Sequence, residues 1–294
     1  MLSRDLSLAA SSRAIRHTVE VDGIQSVYYE YPAVASSSKT LIMVHGYRGN
    51  HRGLEAIAAG LSKYRVLIPD LPGFGESEPF SHNHSVKAYS NWLHSFISTL
   101  GLANQVHLMG HSFGTLVVGF YATQHTPKSV SLVNPVSTPA LEGPQAALTN
   151  LTKIYYLLAT YAPKFAGEWL LRNKIAVMVM SVVMAKTHNK QLRRWIHNQH
   201  LSNFSDFASV KVAVEGYDAS ISTDLSKLAT EITAPVLVVA ATLDEITDIE
   251  SQRRVSGLYQ KLTYREIDGV GHLVHYEAPE QASAFISQFL DELP

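Results

Sequence analysis

The chain contains no cysteine, which excludes a disulfide framework and any thiolate metal site. It has no excess of charge of either sign. Its 24 Lys and Arg meet 25 Asp and Glu, so nothing in the global balance argues for a nucleic-acid partner. No apolar run reaches the roughly 20 residues that a membrane span needs. The first ten residues include Asp5 and lack a long apolar stretch, which makes them a poor secretory signal. The expectation is a cytoplasmic protein, monomer or homodimer, without metal or cofactor. Internal repeats and low-complexity tracts are also absent. What remains is 294 residues with 46% hydrophobic content, enough for one large core, or one core with an inserted lobe.

Residues 17–21 and 24–31 alternate around Asp22-Gly23 and predict a β-hairpin. Residues 35–39, with three serines, predict a loop. Residues 40–44 form a continuous apolar run, as in a strand buried on both faces. A helix is expected at 54–61, a strand at 65–69, and a helix at 85–100 closed by Gly101. Strands at 105–109 and 128–133 flank an apolar helix at 115–122. This alternation predicts a doubly wound, mostly parallel α/β sheet. It stops at about 136 and resumes with strands at 235–240 and 262–267 and helices at 249–259 and 279–290. The interval 136–227 reads as helical, entered through Pro135, Pro139, Gly143 and Pro144. The expected organisation is therefore a core of residues 1–135 and 228–294 with a helical cap, 136–227, inserted.

Gly110-His111-Ser112-Phe113-Gly114 is a G-x-S-x-G motif set between an expected strand and an expected helix. Strand, sharp turn and helix would raise the Ser112 hydroxyl at the apex of the turn, and the glycines suit a close backbone approach. A serine needs a base to take its proton and a third group to orient that base. Asp244 follows the strand at 235–240, and His272 follows the strand at 262–267. Both fall at carboxyl ends, where open α/β sheets bind ligands. Asp248 and Glu245 are the nearby alternatives to Asp244.

His45-Gly46, the segment from Asp70 to Ser77, Gly110 to Gly114, Asp244 and Gly271-His272 resemble the α/β-hydrolase superfamily, in its capped serine-hydrolase branch. The resemblance spans about 40–280 and leaves the cap uncovered. It implies the order nucleophile Ser112, acid Asp244, base His272. In some relatives the acid follows the strand after the elbow helix, and there this chain has the neutral Asn134. The resemblance also implies an oxyanion hole built from the backbone N–H groups of Tyr47 and Phe113. Arg48, His51 and Arg52 read either as an anion-binding rim or as a solvated loop. The turn through Gly73 and Gly75 reads as a structural turn shaping the pocket floor rather than a phosphate loop, because it has no lysine and opens no helix.

Residues 175–185 are apolar nearly all round and hold three of the six methionines, Met178, Met180 and Met184. Seven basic residues lie between Lys164 and Ser205, where Glu168 is the only acid. Three readings stand open. The segment is a helix buried on the core, the wall of an apolar substrate tunnel, or a face that makes peripheral membrane contact. Candidate substrate-binding residues are therefore Arg48, on the anion-rim reading, and Met178, Met180 and Met184, on the tunnel reading. The activity the resemblance implies is a cofactor-free serine hydrolase of a small carboxylic ester with an apolar acyl part. A carbon–carbon bond hydrolase, a lyase of the menaquinone-synthesis type and a thioesterase would use the same triad. A small-ligand receptor on the same fold is the alternative outside enzymes.

Overall fold

The computed structural model describes residues 3–34, 39–103, 105–139 and 146–293. Apart from Lys39 the expected loop at 35–39 lies outside them, as do Gly143 and Pro144 of the expected hinge. An amino-terminal helix α1 (Ser3–Ser11) precedes a hairpin of β1 (Ile15–Val21) and β2 (Ile24–Tyr31). Its turn holds Asp22 and Gly23 at φ of 51° and 77°, the left-handed pair that a two-residue hairpin demands. Then follow β3 (Thr40–Val44), α2 (Glu55–Gly60), β4 (Arg65–Pro69), α3 (Val86–Thr99), β5 (Val106–His111), α4 (Phe113–Gln124) and β6 (Ser129–Val133). Ser85 caps α3 by accepting from the Ala88 amide at 3.2 Å, and Gly101 closes it at φ 68°, as expected of a helix that ends on glycine.

Between β6 and β7 (Val236–Ala241) the described residues hold five α-helices. These are α5 (Ala146–Tyr161), α6 (Lys164–Leu171), α7 (Lys174–Met184), α8 (Lys190–Asn203) and α9 (Val210–Ser222). The only extended pairing recorded there is a bridge from Phe207 to Phe74. The chain ends with α10 (Ile249–Ser256), β8 (Leu262–Ile267), α11 (Val274–Glu277) and α12 (Pro279–Glu292).

The strand order is β1-β2-β4-β3-β5-β6-β7-β8. The β1–β2 and β2–β4 pairs are antiparallel and the rest are parallel. This is the doubly wound, mostly parallel sheet predicted from the alternation. Successive side chains of a strand point to opposite faces, and β3 shows the consequence. Ile42 and Val44 join the core under α3 and α4, with Trp92, Phe96 and Leu116. Leu41 and Met43 join the core under α2 and α12, with Ile57, Ile286 and Phe289. Every residue of β3, β5, β6 and β7 is buried, which is why these strands read as unbroken apolar runs.

Candidate active site

The carboxyl ends of β3, β5, β6, β7 and β8 converge on one edge of the sheet, and each carries a residue of the site. Ser112 stands between β5 and α4 at φ 53°, ψ −120°, a conformation that a side chain adopts only under strain. The two flanking glycines make the turn feasible. A Cβ on Gly110 would stand 2.4 Å from the Gly114 carbonyl oxygen, and one on Gly114 would stand 2.2 Å from the Val44 oxygen.

Ser112 Oγ lies 2.7 Å from His272 Nε2. His272 Nδ1 lies 2.9 Å from Asp244 Oδ2 and 3.0 Å from Oδ1. With the carboxylate accepting from Nδ1–H, Nε2 is left to accept from the serine hydroxyl. Asp244 also accepts from Asn134 Nδ2 at 2.8 Å and from the Ile246 amide at 2.8 Å. Burial pushes the Asp244 carboxyl up, but the His272 imidazole and these hydrogen bonds outweigh it and hold the group below the usual range. A hydroxyl bonded to an imidazole that a buried carboxylate orients is the arrangement that activates a serine.

The alternatives to Asp244 are occupied elsewhere. Asp248 caps α10 by accepting from the Ser251 amide at 2.9 Å, and Glu245 pairs with Lys186. Asn134 does more than leave a place free of a rival acid. It holds the aspartate, at φ 48° and fully buried. Sequence reasoning also missed His111 and His275. His111 Nε2 lies 3.2 Å from the His272 carbonyl oxygen and 3.0 Å from His275 Nδ1. Burial, then the neighbouring His272, lowers His111 to about 3; burial and then His111 hold His275 well below its ordinary value. The His111 ring stands between those of His272 and His275, with centroids 5.5 and 4.1 Å away. The G-H-S of the motif was the one signal for them.

Tyr47 and Phe113 border Ser112 in a cavity of about 1000 Å³. Neither backbone N–H has an acceptor among the described residues. The Tyr47 hydroxyl donates to the Ala213 carbonyl of α9, so its ring is a half-buried support, set edge-on to Phe74.

The loop after Tyr47 divides between the two readings: Arg52 is exposed, as in a solvated loop, whereas Arg48 and His51 are buried. Arg48 is 3% exposed, so it is not part of a solvated loop. Its Nε donates to the Phe204 carbonyl at 2.8 Å and its Nη2 to that of Leu171 at 2.7 Å. Its guanidinium stacks 4.3 Å from the Phe204 ring centre. It borders the cavity as a brace between the loop and the helices of 146–222 rather than as an open anion rim. His51 is buried too. Its amide and Nδ1 both reach Asp70 Oδ1, at 2.8 and 2.9 Å. The glycine turn is structural, with Asp70 also accepting from the Glu76 amide at 3.0 Å. It braces this loop from behind and is not part of the cavity lining.

Helix α7 is not buried on the core. Only Val177 and Ser181 of its residues are buried. One side lines the cavity with Ala176, Met180, Val183 and Met184. Met178 does not line it: at 100° per residue its position falls half a turn away from that side. An amphipathic face could not be located in a segment apolar all round. Among the described residues no group of three or more His, Asp or Glu side chains is placed to hold a metal ion.

Comparisons with known proteins show the family and the fold. The family described as "alpha/beta hydrolase fold" matches residues 39–279. Lipase 1 of Psychrobacter immobilis is 36% identical over 121 residues, which cover 41% of this chain and only 37% of that protein. The pimeloyl-[acyl-carrier protein] methyl ester esterase of Aeromonas hydrophila is 25% identical over 85% of this chain and 94% of its own length. Among solved structures, the enol-lactonase from Burkholderia xenovorans LB400 superposes with a TM-score of 0.77 at 19% identity, over 94% of this chain and all of that one. That likeness shows the fold alone.

Proposed function

Because the chain belongs to the alpha/beta hydrolase fold family, we propose that it is a serine hydrolase of carboxylic esters with an apolar acyl part, acting through an acyl-enzyme. The observation that carries this is the run of contacts from Ser112 through His272 to Asp244 at the floor of a largely apolar cavity. The lipase and esterase relatives support the ester as substrate class.

Ser112 Oγ attacks the ester carbonyl while His272 Nε2 takes its proton, and Asp244 stabilises the imidazolium that forms. The tetrahedral oxyanion accepts from the free N–H groups of Tyr47 and Phe113, whose positions are fixed before the substrate arrives. Collapse breaks the ester C–O bond, and His272 returns the proton to the leaving alkoxide. Water, deprotonated by His272, then attacks the acyl-serine; the carboxylic acid leaves and Ser112 recovers its proton. Side chains, backbone amides and water supply every step. The helices of 136–227 act as a cap, with Met180 and Met184 on the wall that the acyl chain meets; methionine adapts to chains of varied shape.

The test is turnover of p-nitrophenyl esters graded from acetate to decanoate by the wild type and by Ser112→Ala. The reading expects turnover that rises with acyl length and falls at least about 10³-fold in the variant. Equal turnover by both proteins would remove Ser112 from the mechanism.

A further inference from the structure

Large apolar side chains exposed to solvent concentrate on the cap. On α7 they are Ile175, Val179, Val182 and Val183, spaced as one side of a helix. On α6 they are Phe165, 77% exposed, and Trp169, 67% exposed. On α5 Leu151, Ile154 and Leu158 follow the same three-and-four spacing. A helix in a globular protein turns such a stripe inward; here α5, α6 and α7 each turn one out. The patch is continuous with the cavity, because Leu151, Ile154, Leu158, Val179 and Val183 are exposed and line it as well.

The charges on the helices that carry this patch are predominantly positive. Between residues 146 and 203 the only acid is Glu168. Lys164, Lys174, Lys190 and Arg194 are exposed and have no ion-pair or hydrogen-bond partner among the described residues. Lys164, Lys174 and Lys190 are the first residues of α6, α7 and α8. A cation at that position opposes the helix dipole, so these lysines weaken the helices that carry them. Helix stability does not account for their placement. No described helix is long and apolar enough to cross a membrane.

We propose that this face of the cap docks on an anionic lipid bilayer, with Phe165, Trp169 and Ile175 entering the acyl boundary and the four basic side chains meeting the headgroups. Apolar side chains ringed by Lys and Arg are the combination that binds at such an interface. The mouth of the cavity then opens onto the membrane, so that an ester with a long acyl chain passes from lipid to Ser112 without crossing water. Docking is a property of the surface and holds whether or not Ser112 turns substrate over.

The experiment is co-sedimentation with vesicles of phosphatidylcholine alone and of phosphatidylcholine with phosphatidylglycerol. It compares the wild type, Ser112→Ala, a charge-reversed variant (K164E/K174E/K190E/R194E) and an apolar variant (F165S/W169S/I175S). The wild type and Ser112→Ala bind the anionic vesicles at least about tenfold more tightly than the neutral ones, and salt weakens this. Charge reversal brings binding down to the neutral-vesicle level, and because it relieves the helix dipoles its melting temperature stays or rises. The apolar variant loses binding to both vesicles. Both surface variants keep wild-type turnover of p-nitrophenyl acetate. Equal binding by all four proteins, or no binding by the wild type, overturns the proposal. So does sedimentation showing a wild-type dimer that F165S/W169S/I175S makes monomeric without any vesicle binding, since the face would then belong to a second copy of the chain.

Discussion

Asn134 donates to Asp244 Oδ2 at 2.8 Å from the end of the neighbouring strand, so the acid is held by an amide standing where a second carboxylate could have stood. A donor there stabilises the ionised aspartate, whereas a carboxylate would oppose it. Asn134→Asp should therefore raise the Asp244 pKa and alter the acid end of the kcat/KM profile. Asn134→Ala, which removes one hydrogen bond to a buried charge, should lower kcat roughly tenfold with little change in KM. An unchanged pH profile in Asn134→Asp would show that this contact does not tune the site.

Ser112 stores backbone strain for its position. At φ 53° a glycine is relaxed where a serine is not. Ser112→Gly should abolish ester turnover yet raise the melting temperature by a few degrees, corresponding to about 1 kcal/mol or more of strain released. Calorimetry of the two proteins checks this. A lower melting temperature would mean that the serine contributes more contact energy than the turn costs.

Buried neutral histidines set the acid stability. Burial, followed by the charges of Lys39 and Lys128, lowers His107 to about 4. Burial and then His272 lower His111 to about 3, and burial and then His197 lower His200 to about 4. Below their ordinary 6.5 the unfolded chain takes up protons that the folded chain refuses. Their contribution is full above that value and declines as the pH falls toward 4. The melting temperature should fall by roughly 5 °C or more between about pH 7.5 and about pH 5, well before Asp244, itself held below the usual carboxylate range, begins to titrate. A flat profile over that interval would contradict the burial of these rings.

The cavity wall is tested by a pair of substitutions about half a helical turn apart. Met180 lines the cavity and Met178 does not. Met180→Trp should shorten the acyl chain accepted, lowering kcat/KM for the decanoate ester about tenfold relative to the butyrate. Met178→Trp should leave that ratio unchanged. The same shift in both variants would place the acyl chain elsewhere.

The parallel core was legible because its strands are buried on both faces and so spell unbroken apolar runs, as in β3 and β7. The positions of Ser112 and Asp244 were legible because each follows such a strand; His272 follows β8, which is only partly buried, and was legible as the residue after the last strand. Helix α1 was not, since its sequence is polar and it is fixed by distant partners such as Glu55, which accepts from Ser7 at 2.8 Å. Arg48 gave the wrong impression for a related reason. A charge in a glycine-containing loop reads as solvated, and only the tertiary fold brings it the Phe204 and Leu171 carbonyls. Helix α7, apolar on all sides, carried no information about which side faces what.

The central claim is that Ser112 is a nucleophile activated by His272. Incubation with a fluorophosphonate, followed by mass spectrometry of the peptides, tests it most directly. The account predicts one phosphonyl adduct, located on Ser112, absent from Ser112→Ala and strongly slowed in His272→Ala. No adduct on the wild type, or an adduct that persists in Ser112→Ala, would contradict it.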